Sequence, residues 1–156
     1  MSSEFDRRLA EAKERARRNR DQTDAEDARK QAEWEQQLAK VQAAIHEWKV
    51  RIEPAILNAV MTAHRQLSHS GVHLTAKPEP THLASRRPTI TPLPALSIIG
   101  RIEGQAPYLT ISVDTNGMIA FAPSRGISAP APMETSAFTE EKIHSVIADF
   151  VDALIP

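Results

Sequence analysis

The sequence predicts an α+β fold. A long, coiled-coil-like N-terminal helix, kinked near Pro54, leads into a small antiparallel sheet of three to four strands and a C-terminal helix packed on that sheet. Three observations predict it. All 11 prolines lie at or beyond Pro54 and all 5 glycines at or beyond Gly71, so no helix breaker of either kind precedes Pro54. Between Val72 and Pro123, apolar and polar residues alternate in short runs separated by turn residues. From Thr139 onward, apolar residues recur every three to four positions. The chain accordingly reads as a charged helical or disordered extension (1–33), an amphipathic helical segment (34–69) and a small α+β domain (70–156).

In the extension, Glu4/Arg8, Glu11/Arg15, Glu14/Arg18 and Glu26/Lys30 place an acid four residues before a base, the favoured order on a helix. Phe5 to Lys30 otherwise offers mainly alanines and one leucine for burial. That composition predicts a fraying, solvated helix or a disordered arm. From Trp34 the pattern changes. Trp34, Leu38, Val41, Ile45, Trp48 and Ile52 follow a 4-3-4-3-4 spacing, a heptad stripe with apolar residues at both seam positions. A stripe of this length, ~28 Å on a helix, packs either within the chain, on its own sheet or on another of its helices, or against a second copy. Pro54 lacks an amide hydrogen and crowds the carbonyl four residues back, which predicts a kink or restart. The segment from Pro54 to about Leu67 reads as a further helix, apolar on most sides and therefore buried, stopped near Ser70-Gly71.

Val72, Leu74 and Ala76 alternate with His73, Thr75 and Lys77 as a strand with one buried face. Lys77 to Pro94 contains 5 prolines and reads as a long connection with at most an edge strand around Thr89 to Thr91. Ala95 to Glu103 is the next strand. Tyr108–Asp114 and Met118–Pro123 flank Thr115-Asn116-Gly117. A two-residue loop there mixes faces, whereas a three-residue loop with Gly117 left-handed pairs Val113 with Ile119 and Ile111 with Phe121. Pro123 to Phe138 reads as a long Ala/Pro/Ser-rich loop, with disorder the expectation. Thr139 caps the last helix, with Glu140 and Glu141 at the positive end of its dipole. Ile143, Val146, Ile147, Phe150, Val151, Leu154 and Ile155 give that helix its apolar face.

Composition removes whole classes of chemistry. With no cysteine there is no disulfide, thiolate zinc site, iron–sulfur cluster or cysteine nucleophile. The charged N-terminus and the lack of any long apolar run predict a cytoplasmic protein with no membrane partner. Glycine is too scarce for a phosphate-cradling loop, and no nucleophile elbow occurs. His64, His69 and His73 cluster in sequence, but Gly71 interrupts them and no carboxylates accompany them. Glu141 and His144 have the spacing of a dimetal carboxylate motif without the second copy that such a site needs. The expectation is a non-enzyme without cofactor or metal.

Two surfaces are left. Arg7, Arg8, Lys13, Arg15, Arg17, Arg18 and Arg20 outnumber Glu11 and Glu14, which suits a basic arm on a nucleic acid. The polarity reverses at once, however, in Asp21, Asp24, Glu26, Asp27 and Glu33, and the formal net charge is only -1. The leading expectation is a non-catalytic protein–protein interaction or adaptor module that forms a homo-oligomer, a dimer first of all, through the Trp34–Ile52 stripe. A nucleic-acid accessory protein is the first alternative, and an enzyme with a pocket between sheet and helices the second.

Overall fold

The computed structural model describes residues 3–79 and 93–155. The chain divides into two units, Met1–Leu38 and Ala39–Pro156.

The first unit is helical throughout its described residues, the leading part of helix α1 (Ser3–Glu47). Among its described residues, all but Glu14 and Leu38 are exposed. The disordered-arm alternative is thus replaced by unbroken helix. Among the described residues, Glu14 draws in both Arg17 at 2.6 Å and Arg18 at 3.5 Å, while Arg7–Glu11 (3.9 Å) and Arg29–Glu33 (4.0 Å) pair with the base first. Of the four acid-before-base pairs read from the sequence, Glu14/Arg18 forms. Glu11 turns to Arg7 and not to Arg15, a choice between solvated partners that each contribute only a few tenths of a kcal/mol.

In the second unit α1 ends and passes through a π-helical turn (Trp48–Ile52) into helix α2 (Glu53–Leu67). Pro54 explains the turn. In an α-helix it would leave the Val50 carbonyl without a donor and crowd it. The widened turn instead lets the Glu53 N–H reach back to the Trp48 carbonyl, and helix resumes with proline in its first turn. The interruption expected at Pro54 takes this form. The π-turn also aims the core residues. Ala44, Trp48, Ile52, Ile56 and Val60 are all buried and advance in steps of four. On an α-helix each such step drifts about 40° round the axis, and a π-turn, with more residues per turn, rotates the line back toward the sheet. Helix α2 is less buried than its composition suggests: Leu57 is half-buried and Met61 is 52% exposed. Among the described residues it packs against β1 on one flank and the C-terminal helix on the other.

The sheet is an antiparallel meander of β1 (His73–Pro78), β2 (Ala95–Arg101), β3 (Tyr108–Val113) and β4 (Ile119–Pro123), in sequence order. Thr89 to Thr91 lie outside the described residues. The β3–β4 register has Val113 opposite Ile119 and Ile111 opposite Phe121, the pairing that the three-residue loop requires. Gly117 has φ +73°, and a Cβ there would lie 3.0 Å from the Lys40 carbonyl oxygen, so both conformation and close approach of α1 call for glycine. The Asp114 carboxylate holds the turn by accepting from the N–H groups of Asn116 and Met118.

Helix α3 (Glu140–Leu154) starts at Thr139, whose hydroxyl accepts from the Lys142 N–H. It closes over the sheet with Ile143, Val146, Ile147, Phe150 and Leu154 buried, and Leu154 fits against Gly100 of β2, where a Cβ would collide with it. Sheet residues Leu96, Ile98, Leu109, Ile111 and Ile119 supply the facing layer. The segment after β4 is anchored, contrary to the disorder expected of it. Met133 and Ile119 exchange backbone hydrogen bonds, Ile127 and Phe138 are buried, and Phe138 meets Phe121 edge to face at 5.5 Å. Ile127 and Phe138 tie this Pro/Ala/Ser-rich stretch to the core, with Ala129 and Met133 packed partly buried against it.

Candidate functional site

The structure divides the Trp34–Ile52 stripe. Trp48 and Ile52 are enclosed in the core of their own domain, and the Trp48 indole N–H donates to the Glu53 carboxylate at 3.1 Å. Val41 and Ile45 are half-buried against the same core, and Leu38 is half-buried. Trp34 is 42% exposed. The end of the stripe nearest the π-turn therefore packs within the chain, and the Trp34 end is the part open to a partner. Phe5 and Leu9, one helical turn apart, are also exposed, at 65% and 53%.

The seven bases Arg7, Arg8, Lys13, Arg15, Arg17, Arg18 and Arg20 are all exposed. At 100° per residue, Lys13, Arg17 and Arg20 share one side of α1, whereas Arg8 and Arg15 lie on another with Glu11 between them. Three of the seven contact a carboxylate, Arg7 that of Glu11 and both Arg17 and Arg18 that of Glu14. The helix thus carries a short basic stripe of three residues and a second face of mixed sign.

The 3₁₀ turn Ser68–Ser70 and left-handed Gly71 bring His64 and His73 together, ring centroids 5.7 Å apart. His64 Nδ1 accepts the Leu74 N–H at 3.2 Å, so that its remaining ring hydrogen sits on Nε2. The role visible for His64 is to cap the edge of β1. His144 stands 3.9 Å from Glu140 on α3. Among the described residues no three His, Cys, Asp or Glu side chains converge as metal ligands would.

Among the described residues, clefts open at the margins of the domain. In the first, Arg51 of the π-turn donates to the carbonyls of Phe138 and Thr135, both at 2.7 Å, and to Glu47 at 2.9 Å, fastening the start of α3 to the long helix. Three of its five N–H donors are committed to the fold. The second runs between α2 and α3 over Ala59, Ala63, Ile147 and Val151. The third, of about 300 Å³, lies between α2 and the outer edge of β1 and is lined by Leu57, Val60, Met61, His64, Arg65 and Ala76 among others. Sequence reasoning missed this groove because it buried α2 completely. Lys77 and Pro78, residues that mark strand edges, were its available signal.

The chain matches no family model, no curated protein and no solved structure. Among the described residues no helix is long and apolar enough to cross a membrane.

Proposed function

We propose that the protein is a non-catalytic interaction module that self-associates through its N-terminal helix, as a dimer, and offers its α+β domain to a protein partner. One observation carries this reading: a continuous helix holds Phe5, Leu9 and Trp34 in water while the domain beyond it has closed its own core. A polar helix without tertiary support is marginal by itself. Burying a large apolar side chain contributes ~1.5–3 kcal/mol, and exposed aromatic side chains are frequent anchors of interfaces.

Light scattering behind size-exclusion chromatography tests the reading on the full chain. A dimer at micromolar concentration that Trp34→Glu converts to a monomer, with far-UV helix signal lost from the N-terminal unit and the domain's own unfolding transition kept, is the expected outcome. A wild-type chain that is monomeric throughout that range overturns it. Trp34 is the informative position, because a charge at Trp48 would break the core instead.

A second reading, a nucleic-acid accessory protein, draws on the exposure of all seven bases between Arg7 and Arg20. It requires binding to a generic duplex that weakens steeply with salt and is lost with Lys13, Arg17 and Arg20.

A further inference from the structure

β1 is the outermost strand of the sheet, and its alternation fixes which backbone groups remain unpaired. The Glu79 N–H bonds to the Ala95 carbonyl, and Gly100 gives its N–H to Pro107 on the β3 side. With Thr75 opposite Ile99 and Ala76 opposite Ile98, it follows that His73, Thr75 and Lys77 turn their peptide groups toward β2. Leu74 and Ala76 therefore point theirs outward. His64 caps the Leu74 N–H. Among the described residues, nothing caps the N–H or C=O of Ala76. Beyond Ala76 comes Pro78, without an amide hydrogen, so one residue offers both a donor and an acceptor at this edge.

We propose that this edge and the groove behind it receive an acidic, extended segment of a partner protein as a fifth strand, antiparallel to β1. A residue paired with Ala76 would exchange both backbone bonds with it and point its side chain to the same face, between Leu57, Val60 and Met61. Met61, 52% exposed, gives that pocket an adaptable wall. Past Ala76 the His64 ring occupies the outward side of Leu74, so the incoming chain leaves the ladder there and its next inward side chain comes beside Arg65. One position before the residue paired with Ala76, opposite Lys77, the side chain lies beside an exposed ammonium on the open face.

Charge selects the occupant. The groove lining contains Arg65 and no carboxylate, while on the open face Lys77 stands beside Glu79, whose carboxylate is already held by the Ser97 hydroxyl. A second copy of β1 paired about Ala76 would set Lys77 diagonally across from its own counterpart, a repulsive arrangement. A chain terminus is the poorer source of negative charge, since the backbone N–H at the Arg65 end is already spent on His64 and no cluster of free N–H groups waits for a carboxylate. The preferred segment thus reads acid, aliphatic, any residue, acid, within a chain that continues in both directions.

This inference rests on the protein-partner half of the proposed function and not on self-association, so a chain found to be monomeric by light scattering is still required to bind. The probe is a library of random dodecapeptides displayed at the N-terminus of a carrier, which leaves no free carboxyl end, selected on the full chain. Enrichment of the acid–aliphatic–x–acid pattern is expected. The enriched peptide should bind about tenfold or more weakly to Arg65→Glu and to Ala76→Pro, which removes the outward amide, and should protect the Ala76 amide of the wild-type chain from hydrogen exchange. No enrichment, enrichment of sequences without acids, or binding that leaves the Ala76 amide unprotected and is indifferent to Arg65→Glu overturns the proposal.

Discussion

The two tryptophans of the long helix stand two heptads apart, in equivalent positions of the same apolar stripe, and meet opposite fates. Trp48 is 1% exposed and has its indole N–H bonded to Glu53, whereas Trp34 is 42% exposed. Nothing in the local pattern distinguishes them. The difference lies in their surroundings: Trp48 enters the π-turn, where the helix is widened and turned so that four-residue steps keep facing the sheet, and Trp34 belongs to the unit that is helix alone. A periodic stripe states that shelter is needed and is silent about who provides it.

The largest expected effect separates the two directly. Trp48→Ala should cost ~3–5 kcal/mol, the usual loss for a large core aromatic, while Trp34→Ala should change the domain's own stability by less than about 0.5 kcal/mol, as surface substitutions do. Denaturant unfolding of the two variants checks this, and equal losses would show that Trp34 is as much a part of the folded core as Trp48.

A smaller effect sharpens the contrast from the domain side. Gly117→Ala combines a left-handed backbone with contact against the Lys40 carbonyl and should destabilise by about 1–3 kcal/mol. Protection of the amides near Lys40 should fall with it in hydrogen exchange. Smallest of all, Glu14→Gln removes the partner of both Arg17 and Arg18 and should lower helix stability by only a few tenths of a kcal/mol per pair. Far-UV circular dichroism should show that small difference at low salt and lose it at high salt, where exposed charges are screened.

Much of the fold is legible in the sequence because its cues are local. The three-residue turn before Met118 comes from face matching in the hairpin, and Thr139 caps α3 with the residues one would choose for it. The loop after β4 reads as disordered because low hydrophobicity hides the two side chains, Ile127 and Phe138, that the core takes in. The exposure of Leu57 and Met61 is equally hidden. An apolar helix is buried only on the sides where neighbours exist, and the number of neighbours is a property of the assembled layers.

By itself the sequence determined the class of fold, the order of its elements, the hairpin register and the absence of thiol chemistry, because each depends on residue type and spacing along the chain. Tertiary structure alone decided which tryptophan is core, which strand is an edge and where Arg65 and Ala76 meet a common groove. Those outcomes depend on the distance between segments far apart in sequence, which no periodicity records.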